Sequence, residues 1–191
     1  MNFVGYELRT TEGKGDGVFT LRSFAVGETV MVGVIEHRIV ENHSHATQVG
    51  LREYMQLGGL CSKVNHSCSP NCGVRLNKSG APDLIAFESI AAGEEITFDY
   101  AMRNYSIEHL PSCCCGAVIC RGSITGWKDL PSERKAVYQG FVMPYLLELD
   151  REMGANGSIL PIGFVRDPRA SSLPDHSKAF KDVDGHHLCS G

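Results

Sequence analysis

One nine-residue stretch, Val64 to Cys72, constrains this chain more than any other. It reads VNHSCSPNC and packs amide, imidazole, hydroxyl and thiol groups behind a single apolar residue. The proline at position 70 prevents a helix from running through it. Polar groups at this density are costly to bury unless they bond to one another or to a ligand. The stretch is therefore predicted to form an internal hydrogen-bond network or a ligand site.

A second stretch, Gly93 to Tyr100, reads GEEITFDY and joins an expected turn to a short strand. Glycine is typical of a tight turn, and from position 96 apolar and polar residues alternate up to the tyrosine. This alternation predicts a half-buried strand that ends on Tyr100.

Composition limits the classes of protein to which the chain can belong. With 191 residues, 42% hydrophobic and 21% charged, it suits one domain with an appendage. A net charge of −4 argues against a basic nucleic-acid-binding face, so no direct nucleic-acid binding is expected. Residues 1–10 lack a secretory signal, and no apolar run is long enough to span a bilayer. The sequence therefore predicts an intracellular protein, cytoplasmic or nuclear. In such a reducing compartment its eight cysteines are expected to bind metal or to remain free thiols.

The two stretches together resemble the signature motifs of the SET-domain methyltransferases. The first is asparagine-histidine-serine-cysteine-x-proline-asparagine (65–71), and the second is glutamate-x-threonine-phenylalanine-aspartate-tyrosine (95–100). They occur in the family's order and close spacing, and the resemblance extends from about Tyr6 to about Trp127. It implies a mostly β fold, the β-clip of short sheets, with a pseudoknot that is an exception to the rule against knotted connections.

The resemblance and the residue patterns divide the chain into four parts. These are a SET domain (1–110), a post-SET cysteine segment (111–127), a helical extension (128–153) and a polar tail (154–191). The extension is predicted because apolar residues fall near helical spacing after Leu130. Pro144 should break or restart that helix, and Gly154 should end it.

A glycine-rich loop at residues 10–19, TTEGKGDGVF, is the expected cofactor loop. Such a loop alone is more often a hairpin turn, but here it lies where the family binds S-adenosylmethionine. The cofactor-binding residues that the resemblance implies are Lys14, Gly15, Asp16, Gly17, Asn65, His66 and Tyr100. Trp127 or Ile124 would cover the adenine.

Three cysteines in the pattern C-x-C-x4-C suggest a structural zinc site that lacks one ligand. The family supplies that ligand from its first motif. The predicted zinc ligands are Cys68, Cys113, Cys115 and Cys120. Cys72 is an alternative fourth ligand, and Cys114 would be an extra thiol. Such a site would pin the C-terminal loop over the cofactor.

The resemblance implies methyl transfer to a lysine side chain in a protein, with a histone as one candidate. Tyr100 would act at the reacting methyl and amine. Phe98 would line the lysine channel, because residues two apart on a strand face the same side. The acidic residues near the second motif (Glu88, Glu94, Glu95, Asp99) would suit a basic peptide, although such charges are usually solvated.

The chain departs from the family's pattern in two places, and the first of these keeps another substrate class open. Residues 47–59 leave almost no room for the helical insert that walls the family's peptide groove, which raises a small amine or amino acid as an alternative substrate. Ser62 stands where the family often has arginine. A third possibility is a binding module that retains the fold without catalysis.

Overall fold

The computed structural model describes residues 2–40, 46–108 and 112–155. Short strands dominate these residues, and two α-helices follow them. The strands are β1 (Asn2–Phe3), β2 (Tyr6–Thr11), β3 (Gly15–Thr20), β4 (Thr29–Met31), β5 (Ile35–Ile39), β6 (Ala46–Gly50), β7 (Glu53–Leu57), β8 (Asn65–His66), β9 (Cys72–Leu76), β10 (Pro82–Ala86) and β11 (Thr97–Phe98). The helices are α1 (Ser132–Val137) and α2 (Pro144–Ala155). The prediction of a mostly β fold built from short sheets is confirmed.

The first sheet, in the order β1-β2-β3, carries the glycine-rich loop at its hairpin turn. Thr11 pairs with Gly15 at the end of the β2–β3 ladder, so residues 12–14 form the turn. Gly13 and Gly15 have φ of 71° and 72°, a conformation that side chains disfavour. The loop is thus a hairpin turn whose backbone requires glycine at both positions.

The second sheet has the order β4-β10-β9-β11-β8 and brings the two motifs together. Strand β11 runs parallel to both β8 and β9 and lies between them. Since β8 and β9 are consecutive in the chain, the connection between them, residues 67–71, must cross β11. This is the crossing that the predicted pseudoknot requires.

The third sheet, β5-β7-β6, occupies residues 35–57. All of its pairings are antiparallel. The described part of this region contains strands and no α-helix, in line with our expectation that residues 47–59 leave almost no room for a helical insert.

The helical extension packs onto the segment that follows β11. Met143 donates its backbone N–H to the carbonyl of Met102 at 2.9 Å, and the Tyr145 hydroxyl donates to the Arg103 carbonyl at 2.8 Å. Helix α2 begins at Pro144 as expected. It continues through Gly154 to Ala155, so the predicted end at Gly154 is one residue early.

The predicted tail lies almost wholly outside the described residues, and the four-part division of the chain stays a prediction. Neither described helix is both long and apolar enough to cross a bilayer.

Asn71 fastens the crossing connection to β11. Its Nδ2 donates to the Glu95 carbonyl at 2.7 Å, and its Oδ1 accepts the Thr97 N–H at 2.9 Å. Asn71→Ala would leave both backbone groups without these partners, so we expect the free energy of unfolding to fall by about 2 kcal/mol. Denaturant titration measures the change. Ser69→Ala, in the same connection but exposed, is the control and should change it by less than about 0.5 kcal/mol; equal effects of the two substitutions would contradict the role of Asn71.

Candidate active site

Pairing of β8 with β11 places the predicted cofactor and catalytic residues side by side. Asn65 lies opposite Thr97, and His66 lies opposite Phe98. Tyr100 follows directly in a 3-10 helix, Tyr100–Met102. The ladder therefore assembles in space what the sequence separates by more than thirty residues.

The glycine-rich loop closes against this pair of strands. Asn65 Nδ2 donates to the Asp16 carbonyl at 3.2 Å and to Glu95 Oε1 at 2.9 Å, and Lys14 Nζ lies 2.5 Å from Glu95 Oε2. A Cβ on Gly17 would lie 2.6 Å from Glu95 Oε1, so glycine permits this close approach. The predicted Lys14–Gly17 loop and Asn65 do converge in space.

Glu95 is a site residue that sequence reasoning misread. We expected it to face a basic peptide, but its carboxylate is mostly buried between Lys14 and Asn65. Asp99, expected in the same role, is completely buried. Asp99 is thus inaccessible to a peptide, and the Glu95 carboxylate is already paired with Lys14 and Asn65.

His66 is held as a neutral imidazole. Its Nδ1 accepts the Tyr100 backbone N–H at 3.3 Å, which assigns the ring proton to Nε2, 3.4 Å from Cys68 Sγ. Burial lowers the pKa of His66 to about 4; nearby Asp99 opposes this effect only in part. The ring therefore links the Tyr100 backbone to Cys68.

The Tyr100 and Phe98 side chains are neighbours, as predicted, but not on one strand: β11 is fully buried and ends at Phe98, so the prediction of a half-buried strand that ends on Tyr100 is wrong. The two ring centroids are 5.0 Å apart. The Tyr100 hydroxyl donates to the Val64 carbonyl at 3.1 Å, and burial raises the pKa of that hydroxyl. A protonated hydroxyl whose hydrogen is already bonded to Val64 leaves its oxygen lone pairs free to accept from another group.

Arg103 is a second neighbour that the sequence did not reveal. Its guanidinium carbon lies 5.0 Å from the Phe98 ring centroid and 5.9 Å from that of Tyr100. Such stacking favours a planar cation over an aromatic face. Its Nε is buried and has no hydrogen-bond partner among the described residues. Arg103 therefore fixes one face of the two rings.

The predicted zinc ligands form one cluster. The sulfur atoms of Cys68, Cys113, Cys115 and Cys120 all lie within 4.8 Å of one another. The Cys68–Cys113 separation is 3.8 Å, which is about the edge of a tetrahedron with Zn–S bonds of ~2.3 Å.

Backbone N–H groups point at these sulfur atoms, as thiolates require. Arg121 donates to Cys68 Sγ and Gly122 donates to Cys120 Sγ, each at 3.4 Å, and Cys68 donates to Cys115 Sγ at 3.5 Å. The donor set fits a tetrahedral zinc ion.

The other predicted residues lie elsewhere. Cys72 is buried in β9, and neither it nor Cys114 belongs to the sulfur cluster. Trp127 is 1% exposed and donates its indole N–H to Asp150, so the expectation that it covers an adenine is wrong. Ile124, the alternative, stays a prediction.

Asp99 organises the centre of the site, although only its place in the motif was apparent from the sequence. Arg121 Nη1 and Nη2 donate to Asp99 Oδ2 and Oδ1 at 2.6 and 2.9 Å. The Tyr138 hydroxyl donates to Oδ2 at 3.0 Å and the Ala101 N–H to Oδ1 at 3.1 Å. We call these four residues the Asp99 network. Burial alone would lower the pKa of Arg121, but its bonds to Asp99 raise it.

Known proteins with similar sequences include several histone-lysine N-methyltransferases. An H3 lysine-36 specific enzyme of Yarrowia lipolytica is 31% identical over 153 residues, which is 70% of this chain and 20% of the relative. The ash1 enzyme of Drosophila melanogaster is 31% identical over 141 residues, 64% of this chain and 6% of the relative. The chain thus spans a fifth or less of the length of these relatives.

Solved structures of KRYPTONITE have a similar fold. One, in complex with mCHG DNA and SAH, has a TM-score of 0.51 and 25% sequence identity over 62% of this chain and 28% of that chain. Another contains mCHH DNA, an H3(1-15) peptide and SAH, with a TM-score of 0.51, 23% identity, and coverage of 62% of this chain and 29% of that chain. Both of these neighbours are bound to DNA. They therefore do not support our expectation that this chain makes no direct contact with nucleic acid.

Residues 15–101 match the SET domain family. This range contains both motifs, the glycine-rich end of the first hairpin and the crossing of β11, and it agrees with the resemblance found in the sequence. The chain therefore contains a SET domain over residues 15–101.

Proposed function

We propose that this chain is an S-adenosylmethionine-dependent protein-lysine N-methyltransferase. The observation that carries the proposal is the placement of Tyr100, whose hydroxyl is oriented by Val64 and whose backbone is bonded to the cofactor-motif residue His66. The histone-lysine methyltransferase relatives and the SAH in the neighbouring structures support the same chemistry.

When bound, S-adenosylmethionine supplies an electrophilic methyl group on its sulfonium. The lysine nucleophile must be neutral, whereas a free lysine has a pKa near ~10.4. An apolar channel beside Phe98 disfavours the ammonium and promotes loss of its proton. The Tyr100 oxygen then accepts an N–H from the amine and orients its lone pair, so that most of the acceleration comes from positioning.

The residues that would hold the cofactor come from the glycine-rich loop and from the strands against which it closes. The loop Lys14, Gly15, Asp16 and Gly17 presents close backbone, Asn65 and His66 come from β8, and Tyr100 lies beyond them. The Lys14–Glu95 pair offers one positive and one negative group beside Asn65, which suits the zwitterionic methionine end of the cofactor.

Zinc would be held by Cys68, Cys113, Cys115 and Cys120, whose separations and N–H donors fit it. Its role would be structural. Because Cys68 belongs to the first motif and the other three to the segment after it, the metal would fasten that segment to the motif.

The substrate that we propose is a lysine in a protein, with histone H3 as the first candidate. Two observations motivate H3: the named specificity of the relatives and the H3(1-15) peptide in one neighbour. A histone substrate requires the protein to reach the nucleus, and it also leaves room for contact with DNA.

The test of this proposal is methyl transfer from isotopically labelled S-adenosylmethionine to a panel of intact histones, histone peptides, other proteins and a metabolite extract. Mass spectrometry identifies the product and its methyl number. We expect label on a lysine of a protein. Label on a small amine alone would overturn the protein-substrate proposal and favour the alternative that the lack of room for a helical insert at residues 47–59 motivates. Cofactor binding without transfer to any substrate would favour a non-catalytic module.

The zinc site predicts about one zinc ion per purified chain. Cys115→Ser should lower this stoichiometry severalfold and should reduce activity more than it lowers the melting temperature of the β-sheets, since it loosens only the C-terminal segment. Cys72→Ser is the matched control, because Cys72 is a buried thiol outside the cluster. Elemental analysis that finds no zinc in the native protein, with the four thiols open to alkylation, would contradict the site.

Tyr100→Phe should reduce kcat by about 100-fold or more and leave the Kd of the cofactor within a few-fold. The hydroxyl is needed mainly in the transition state, so its loss affects kcat rather than ground-state binding. Steady-state kinetics and calorimetry measure the two quantities. A variant with near-normal turnover would remove Tyr100 from the mechanism.

Phe98→Tyr should convert an enzyme that adds more than one methyl group into one that stops mainly after the first. Phe98 borders a small cavity with Leu57, Cys61 and Arg103, and a hydroxyl there would take up about the space of one water. That hydroxyl would also hold the methylated amine and hinder its rotation. Mass spectra over time read out the methyl number; the same distribution for both proteins would mean that Phe98 does not line the channel.

A further inference from the structure

The carboxylate of Asp99 has a complete set of hydrogen bonds, and one of them comes from far along the chain. A carboxylate offers about four acceptor positions. Here each oxygen accepts two bonds, one from Arg121 and one from either Ala101 or Tyr138. Asp99 is 0% exposed, so solvent cannot replace a lost donor. The Tyr138 hydroxyl is therefore needed to complete the set.

Tyr138 lies well outside the residues 15–101 that match the SET domain family. It follows the last residue of α1 and is fully buried, with its ring edge-to-face against Phe87 at a centroid distance of 6.0 Å. Burial, together with the charge of Asp99 and the hydrogen bond to it, raises the pKa of Tyr138, so the hydroxyl keeps the proton that it donates.

The Asp99 side chain controls the conformation of the residue next to it. Its Oδ1 accepts the Ala101 N–H and caps the 3-10 helix that begins with Tyr100. The Tyr100 N–H is directed at His66 within the same turn. Any shift of the Asp99 carboxylate therefore moves the backbone that carries Tyr100.

The last residue of the cysteine segment, Trp127, and the rest of the extension also contact the chain immediately after Tyr100. Trp127 donates its backbone N–H to the Asn104 carbonyl at 2.8 Å, and Tyr145 and Met143 reach residues 103 and 102. Among these groups only Tyr138 bonds to the Asp99 carboxylate, which precedes Tyr100 in the chain. The turn that carries Tyr100 is therefore held at the residue before it and at the residues after it.

We propose that Tyr138, in the helical extension, is a positioning residue for methyl transfer. It holds the Asp99 carboxylate so that the Tyr100 hydroxyl stays at the reacting amine. The extension is then part of the catalytic unit. This inference rests on the proposed function.

The experiment compares Tyr138→Phe with the wild type. The substitution removes one hydroxyl and keeps the ring in its place. We expect kcat to fall about tenfold, with KM for both substrates within about twofold and zinc content unchanged, because a small misplacement of a reacting group affects the transition state most. We also expect the Ala101 amide to exchange its hydrogen with solvent about tenfold faster, a readout that needs neither cofactor nor substrate.

Tyr6→Phe is the matched control. Its hydroxyl also donates within the fold, to the Val30 carbonyl, at the end of the β2–β3 hairpin opposite the glycine-rich turn. We expect this variant to keep kcat and the Ala101 exchange rate unchanged. In each variant kcat is counted per cofactor-binding chain, measured by calorimetry, so partial unfolding does not imitate the effect.

Two outcomes overturn the inference. One is a Tyr138→Phe variant whose kcat and Ala101 exchange both equal those of the wild type, and the other is an equal loss of kcat in Tyr6→Phe. A wild-type protein that transfers no methyl group to any substrate would instead refute the proposed function. In that case the Ala101 exchange rate still reports whether Tyr138 holds the turn.

Discussion

The structure depends most on a buried ion pair between Asp99 and Arg121. Removing one partner of such a pair typically costs about 3–5 kcal/mol, because the other charge stays buried without compensation. Here both oxygens of the carboxylate are bonded to the two Nη atoms of the guanidinium, and Tyr138 and a backbone N–H fill the remaining acceptor positions. One carboxylate therefore joins three separate parts of the chain: the second motif, the cysteine segment and the helical extension.

This joining explains how residues that are distributed along the sequence come together in one site. Arg121 follows directly after Cys120, so the ion pair sets the sulfur cluster beside β11, and His66 lies between Cys68 and the Tyr100 backbone. The cysteine segment also lies against the glycine-rich loop: a Cβ built on Gly13 would be 3.3 Å from Cys114 Cβ. The sulfur cluster, the glycine-rich loop and the predicted catalytic Tyr100 are thus held by contacts that share residues.

The motifs allowed the sequence to predict the fold class, the convergence of Lys14–Gly17 with Asn65, and the four-sulfur cluster. These predictions succeed because glycine, proline and cysteine at fixed spacing have few structural solutions. The side chains that pair across long separations could not be predicted. Glu95 looked solvated because its partner Lys14 is 81 residues away. Trp127 looked like a ring for stacking, but tertiary packing with α2 buried it. Nothing in the pattern around Tyr138 distinguishes a hydroxyl that bonds Asp99 from an ordinary apolar position of a helix.

The most direct test of the central role of Asp99 is hydrogen exchange, measured segment by segment, on Asp99→Asn. This substitution keeps the size of the side chain and removes the charge that pairs with Arg121. The account predicts that amide exchange accelerates both in the cysteine segment at 113–121 and in the extension at 132–155, while β9 and β10 keep their protection. An increase confined to the turn at 99–102, with both distant segments unchanged, would contradict it.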